Sequence, residues 1–141
     1  MTTLKTFIVE DSALIRDSLT ATLEELLPLR VVGSAEDETG ALRWLGAPGH
    51  EVDLVIVDIF LKAGSGLGLL RAARGLPCAG RLVVLSNYAT PDIRRRCLDL
   101  GAAQVFDKSN DIDALIQYCA QLAAGDGARA APPAGRGGIS S

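Results

Sequence analysis

The feature that most constrains the fold is a short apolar run, Leu54–Val57, that ends directly at an acidic residue, Asp58. No polar residue interrupts the run, so a strand formed by it must be covered on both faces. Such continuous apolar strands are typical of the centre of a parallel sheet. In open α/β sheets, ligands bind beyond the carboxyl ends of the strands. Asp58 is therefore a candidate functional residue.

The rest of the chain alternates short apolar strands with amphipathic helices. The strands are predicted at residues 6–9, 30–34, 54–57, 81–85 and 104–106. Each is followed by a segment with apolar residues at helical spacing, and the last helix is expected over residues 111–124. Five strand–helix repeats predict an α/β fold with a doubly wound, five-stranded parallel sheet.

The helix starts carry recognisable signals. Thr90-Pro91-Asp92 combines a capping residue, a proline at the first helical position and an acid in the first turn. Ser12 or Asp11 is expected to cap the first helix. One buried face of that helix is predicted from apolar residues at helical spacing: Ile15, Leu19, Leu23 and Leu26.

The composition excludes several classes of function. The net charge of −3 provides no basic surface of the kind that nucleic-acid binding needs. No apolar run approaches the roughly 20 residues of a membrane span, and the N-terminus lacks the apolar region of a signal peptide. We therefore expect a cytoplasmic protein that does not bind nucleic acid and does not insert into a membrane.

A change in composition divides the chain at residue 125. Residues 1–124 are expected to form one domain, whose length suffices for a single core. Residues 125–141 are mostly Gly, Ala and Pro and are expected to form a disordered tail. That tail is too short for a DNA-binding domain, so the sequence predicts a domain that acts alone.

The three cysteines, Cys78, Cys97 and Cys119, are widely spaced, form no CxxC pair and have a single histidine, His50, to join them. Zinc sites need closer ligand spacing. We expect the cysteines to be small buried apolar residues in a reducing compartment.

Polar residues follow the other strands at the edge that holds Asp58. Glu10-Asp11 follows the first strand, Ser86 the fourth and Lys108 the fifth. Three clustered carboxylates repel one another and need a counter-charge, which Mg²⁺ with oxygen ligands supplies. Asp58 is then the candidate nucleophile that forms an acyl phosphate, while Lys108 and Ser86 contact the phosphoryl oxygens.

With these residues in place, the chain resembles the receiver domain of two-component response regulators, of the single-domain chemotaxis-regulator type. The match extends over residues 4–124 and includes Gly66, eight residues after Asp58. The resemblance implies a flavodoxin-like sheet in the order 2-1-3-4-5. It also implies Mg²⁺-dependent phosphorylation of Asp58 by a sensor histidine kinase or a phosphotransfer protein. The domain is then not an enzyme, and its own activity extends at most to self-phosphorylation and slow self-catalysed loss of the phosphate. The backbone carbonyl of Phe60 is implied as a metal ligand.

The sequence departs from the family pattern where the signal leaves the site. Val105 stands where the family has its switch aromatic, and strand alternation places Phe106 on the opposite face. Ser109 replaces the proline that usually follows the lysine, and Leu61-Lys62 replaces the usual methionine-proline.

The output surface is therefore expected around helices 4 and 5, with a downstream protein as its partner. Ser86 and Tyr88 are candidates for the signalling role beside Val105. Arg94 and Arg95 on the fourth helix belong either to this partner surface or to an ordinary solvated face.

Two other functions remain as alternatives. One is a receiver-like module that binds its partner without phosphorylation. The other is a phosphatase of the haloacid dehalogenase type, but that family needs a second acid two residues after the nucleophile, where this chain has Phe60. A dinucleotide site at residues 64–68 is not expected, because the GxGxxG spacing is missing.

Overall fold

A computed structural model of the chain describes residues 3–47, 49, 51–59, 66–73, 80–87 and 89–124. Several sequence-predicted features lie outside these ranges: the carbonyl of Phe60, the side chain of Tyr88, Cys78 and the tail 125–141. In the described ranges, no helix is both long enough and apolar enough to cross a bilayer.

Strands and helices alternate along the whole described chain: β1 (Leu4–Val9), α1 (Ala13–Leu26), β2 (Leu29–Ala35), α2 (Glu38–Gly46), β3 (Leu54–Val57), α3 (Gly66–Ala73), β4 (Arg81–Ser86), α4 (Pro91–Asp99), β5 (Gln104–Asp107) and α5 (Ile112–Ala123). The five strands form one parallel sheet in the order β2-β1-β3-β4-β5. The predicted doubly wound, flavodoxin-like fold and its strand order are confirmed.

The central strand β3 is buried along its whole length, as its unbroken apolar sequence predicts. Its residues point alternately into two cores. Val55 and Val57 pack with Leu69 of α3 and Cys97 of α4, while Leu54 and Ile56 pack into the opposite core. That second core contains residues of α1 and α5. Helical layers on both faces explain why this strand has no polar side to present to water.

The same alternation separates Val105 from Phe106 on β5. Val105 belongs to the core that contains α4, and Phe106 belongs to the core that contains α5. Phe106 packs at a tilt against Tyr118 of α5, with ring centroids 5.9 Å apart. The expectation that Phe106 faces away from the side of Val105 is therefore confirmed.

In the described part of the chain, side-chain caps begin three helices, α1, α2 and α4. Ser12 Oγ accepts from the amide of Ile15 at 3.3 Å and starts α1. Thr90 Oγ1 accepts from the amide of Ile93 at 3.2 Å and starts α4, with a proline at its first position. Both starts agree with the capping signals in the sequence. Because Ser12 directly follows the acidic pair, the cap also determines how the chain leaves β1.

The predicted buried face of α1 is partly wrong. Leu23 is buried and Leu19 packs against the core, but Ile15 is 41 % exposed and Leu26 57 % exposed. Residues four apart advance by about 40° around a helix, so an i, i+4 row turns gradually away from a fixed direction. The helix rests on the sheet through the side centred near Leu23, which leaves Ile15 and Leu26 at the rim.

The two described cysteines are buried free thiols on opposite sides of the sheet. Cys97 packs in the core with α2 and α3, and Cys119 packs in the core with α1. Both have no measurable exposure. The expectation of small buried apolar residues is confirmed for these two.

Cys119 is expected to make stability fall at alkaline pH. Burial raises the pKa of the Cys119 thiol to about 12, against 9.0 for an ordinary thiol. Between these values the unfolded chain loses the proton and the folded chain keeps it. The free energy of unfolding should therefore fall with rising pH in this window, by up to about 1.4 kcal/mol per pH unit. Below about pH 9, the stabilisation by the buried neutral thiol is complete.

Urea unfolding under reducing conditions at about pH 8 and about pH 10 measures this slope. The wild-type chain should lose more stability between the two values than Cys119→Ala does. The cavity in the variant lowers its stability at both pH values, so the comparison is between slopes. Equal slopes would contradict the prediction.

Candidate functional site

The carboxyl ends of β1 and β3 place two acids side by side. Val9 pairs with Val57, so Glu10 and Asp58 are the next residues on neighbouring strands. The amide of Asp58 donates to the carbonyl of Val9 at 3.0 Å, which continues the sheet pairing past the end of β3. Carboxylate oxygens of Glu10, Asp11 and Asp58 lie within 4.8 Å of one another. The structure thus brings together the three side chains expected to bind a metal.

Lys108 directly follows the edge strand β5, and its side chain extends to this acidic cluster. Its Nζ donates to Glu10 Oε1 at 2.7 Å and to Asp58 Oδ2 at 3.2 Å. All three side chains are well buried, with exposed fractions of 13 % for Lys108, 4 % for Glu10 and 10 % for Asp58. The ammonium group therefore already supplies part of the counter-charge that the clustered carboxylates need.

The electrostatics of the site reflect this crowding. Burial raises the pKa of Glu10, and this exceeds the opposing effect of the hydrogen bonds from Lys108 and Ser12. Burial alone would lower the pKa of Lys108, but its hydrogen bond to Glu10 and the nearby charge of Asp58 raise the pKa overall. Among the described residues, three carboxyl groups face the ammonium of Lys108, so an excess of negative charge remains that a divalent cation would relieve.

The turn that carries Glu10 and Asp11 is held by α1. The amide of Ser12 donates to Glu10 Oε2 at 3.2 Å, and Arg16 Nη1 donates to the carbonyl of Glu10 at 2.8 Å. Sequence reasoning missed Arg16. An arginine in the first turns of an amphipathic helix normally indicates only a solvated face, and no pattern in the sequence points to a contact with a main-chain carbonyl.

Ser86 and Lys108 are joined through their main chains. Ser86 ends β4 and is fully buried. It pairs with Asp107 on β5, and the amide of Lys108 donates to the carbonyl of Ser86 at 2.9 Å. The two residues expected to contact a phosphoryl group thus leave neighbouring strands at the same level of the sheet.

The two arginines expected at the output surface are not equivalent. Arg94 is half-buried and bonds within the domain to Ala89, Val105 and Asp111. Arg95 is 72 % exposed and pairs with Asp92, in the first turn of the same helix. Arg95 is therefore available at the surface, whereas Arg94 is part of the fold.

Comparison with known proteins identifies the family. The family model described as response regulator receiver domain matches residues 6–120. A probable transcriptional regulatory protein from Picosynechococcus sp. is 34 % identical over 120 residues, which cover 82 % of this chain and 47 % of that protein. A protein-glutamate methylesterase/protein-glutamine glutaminase from Azospirillum brasilense is 30 % identical over 106 residues, which cover 74 % of this chain and 26 % of that protein. The chain thus spans less than half the length of these relatives.

Solved structures share the fold. The signal receiver domain of the response regulator NarL from Mycobacterium tuberculosis matches with a TM-score of 0.76 at 22 % identity, covering 89 % of this chain and 99 % of that one. The isolated REC domain of RcsB from Salmonella enterica serovar Typhimurium, with the phosphomimetic BeF₃⁻, matches with a TM-score of 0.75 at 25 % identity, covering 88 % and 91 %. With the family match over most of its length, the chain belongs to the response regulator receiver domains of two-component systems.

Proposed function

We propose that the chain is a phospho-switch in which Asp58 accepts a phosphoryl group from the phosphohistidine of a sensor histidine kinase or a phosphotransfer protein. The observation that carries the proposal is the position of Asp58. Its carboxylate ends the central strand, lies beside two further acids and contacts Lys108. Receiver domains are mostly phosphoacceptors rather than enzymes. Beyond gaining and losing its own phosphoryl group, no turnover is proposed.

A magnesium ion fits the acidic cluster. Glu10, Asp11 and Asp58 offer hard oxygen donors within 4.8 Å of one another, which is the ligand type that Mg²⁺ prefers. The resemblance adds the carbonyl of Phe60, which lies outside the described residues. When bound, Mg²⁺ neutralises the charge that develops on a phosphoryl group in transfer.

Each side chain of the site then has a separate role in the transfer. A carboxylate oxygen of Asp58 attacks phosphorus, the bond from phosphorus to the histidine nitrogen breaks, and the imidazole leaves with the bonding electrons. The ammonium of Lys108, now shared by Glu10 and Asp58, contacts a phosphoryl oxygen. The hydroxyl of Ser86 donates a hydrogen bond to another phosphoryl oxygen.

The phosphoryl group would act as a switch through the loops that carry Ser86 and Lys108. It adds roughly −1.5 to −2 charges at pH 7. Each hydrogen bond to a charged group contributes about 1.5–3 kcal/mol, whereas complete inversion of a 1:99 equilibrium takes about 5.5 kcal/mol. Two such bonds give about 3–6 kcal/mol in total, and the bonds that Lys108 already makes to Glu10 and Asp58 reduce the net gain. The phosphoryl group therefore biases the equilibrium and leaves some activity in the unphosphorylated chain. The proposed output face lies on α4 and α5 near Val105 and includes Arg95. Tyr88, the other candidate for the signalling role, lies outside the described residues.

Intact-mass analysis after treatment with acetyl phosphate tests the proposal. The wild-type chain should gain one phosphoryl group when Mg²⁺ is present and almost none when the metal is chelated. Asp58→Asn keeps the shape of the side chain and should gain none. Absence of modification in the wild-type chain would contradict the proposal and favour a module that binds its partner without phosphorylation.

A further inference from the structure

The guanidinium group of Arg94 joins three separate segments of the domain. Its Nε donates to the carbonyl of Ala89, before α4, at 3.1 Å. Its Nη1 donates to the carbonyl of Val105 on β5 at 2.8 Å, and its Nη2 donates to Asp111 Oδ2, just before α5, at 3.1 Å. Three planar donors are directed at three different acceptors, which is the geometry that only an arginine provides.

Asp111 closes the loop that presents Lys108. Its Oδ2 also accepts from the amide of Asp107 at 3.0 Å, and its own amide donates to the carbonyl of Asp107 at 2.8 Å. The hydrogen bond from Asp107, followed by that from Arg94, holds the pKa of Asp111 below its usual value. Lys108 is the next residue after Asp107, and its amide is bonded to Ser86. The main chain at Lys108 is thus held on one side by β4 and on the other by Asp111.

We propose that Arg94 and Asp111 are positioning residues that hold the β5–α5 loop so that Lys108 reaches Asp58. The inference rests on the proposed phospho-switch and deepens it, because it identifies how Arg94 of α4 is connected, through Asp111, to the loop that carries the lysine of the site. A shift of the first turn of α4 and a displacement of Lys108 are then coupled movements. By linkage, a partner that binds α4 and displaces Arg94 alters the phosphorylated population, just as phosphorylation alters the affinity for that partner.

Two exposed residues provide matched controls. Arg96 lies two positions after Arg94 on the same helix and pairs with Asp92, with 61 % of each side chain exposed. Asp113 is exposed in the first turn of α5, two positions after Asp111. Arg96→Gln and Asp113→Asn therefore make the same changes in charge, two positions further along α4 and at the start of α5, without touching the loop that carries Lys108.

The first test measures the rate at which acetyl phosphate and Mg²⁺ modify Asp58. Arg94→Gln and Asp111→Asn are each expected to slow this step roughly tenfold, because a misplaced group at a reacting centre loses much of its effect. Arg96→Gln and Asp113→Asn should retain the wild-type rate. In a Lys108→Gln background, Arg94→Gln should cause no further slowing, since its effect passes through that lysine. Additive slowing in that background, or wild-type rates in both single variants, would overturn the inference.

The second test does not depend on phosphorylation and therefore separates the inference from the proposed function. Amide hydrogen exchange in the unphosphorylated chain, monitored by NMR, reports how firmly the loop is held. Arg94→Gln should accelerate exchange at Asp107 and Lys108 roughly tenfold relative to Arg96→Gln, while Ile56 in the central strand stays protected as in the wild type. Unchanged exchange at Lys108, or equal acceleration at Ile56, would show a role other than holding the loop. If the wild-type chain accepts no phosphoryl group, the proposed function fails, and the exchange result still decides whether Arg94 holds this loop.

Discussion

Replacing Lys108 with methionine is expected to make the stability of the domain depend strongly on Mg²⁺. In the wild type, the ammonium lies between the buried carboxylates of Glu10 and Asp58. Methionine has a similar length and no charge, so it leaves both carboxylates without their shared cation. Removing one partner of a buried ion pair costs about 3 kcal/mol or more. Mg²⁺ would supply the missing positive charge and restore much of this loss.

The same substitution should strengthen the binding of Mg²⁺. In the wild type, Lys108 occupies carboxylate oxygens that a cation would also use, and its positive charge repels the ion. Methionine removes both effects. Mg²⁺ should therefore raise the free energy of unfolding more in the variant than in the wild-type chain, because a ligand that binds the folded state stabilises it according to its affinity.

Urea unfolding with a chelator, and again with saturating Mg²⁺, measures both effects. Lys5→Met is the matched control, because Lys5 is exposed on β1 at the start of the sheet, away from the carboxyl ends of the strands. We expect the control to behave as the wild type under both conditions. The prediction fails if Lys108→Met and Lys5→Met have the same free energy of unfolding in the chelator. It also fails if Mg²⁺ raises that free energy by the same amount in both variants.

Replacing Gly66 with alanine is expected to destabilise the domain and to slow phosphorylation of Asp58. A Cβ atom at this position would lie 2.5 Å from Cα of Ile59 and 2.6 Å from the carbonyl oxygen of Asp58. Both contacts are with the main chain, which must move to make room. The expected loss is about 2–3 kcal/mol, as for overpacking in a tight interior. The main chain that must move includes Asp58 itself, so the rate of phosphorylation should fall together with the stability.

Gly68→Ala is the matched comparison, two residues further along α3. A Cβ atom there would approach the carboxylate of Glu38 at 3.0 Å, the end of a side chain that can move aside. Alanine also favours a helix over glycine by up to about 1 kcal/mol. We expect Gly68→Ala to be nearly neutral in both urea unfolding and the rate of phosphorylation. Similar losses in the two variants would show that main-chain contact at Gly66 is not what limits this position.

Local patterns in the sequence determined the element types, and they placed the ends of the strands to within two residues. The unbroken apolar run Leu54–Val57 indicated a strand covered on both faces, and the Thr90-Pro91 signal placed the start of α4 correctly. Alternation of strands with helices was sufficient to predict a parallel sheet. Because all carboxyl ends of such a sheet share one edge, the sequence alone predicts that the acids and Lys108 lie close together.

Patterns within one helix were less informative, because they contain no information about where the helix rests. The spacing of Ile15 and Leu26 agreed with the buried face of α1, yet both are exposed at its rim. Arg94 and Arg95 were likewise indistinguishable in sequence, although one bonds to β5 and the other lies at the surface. A rotation of the helix by a fraction of a turn decides such cases, and neighbouring elements set that rotation.

By itself, the sequence determined the α/β fold, the edge of the sheet that carries the chemistry, and the residue types that meet there. Only the tertiary structure decided the partners of each charge. Lys108 bonds to Glu10, 98 positions away along the chain, and Arg94 bonds to Asp111 across the gap between α4 and α5. The physical reason is range: secondary structure follows from neighbouring residues, whereas a charge pairs with whatever the packing of distant elements brings within a few ångströms of it.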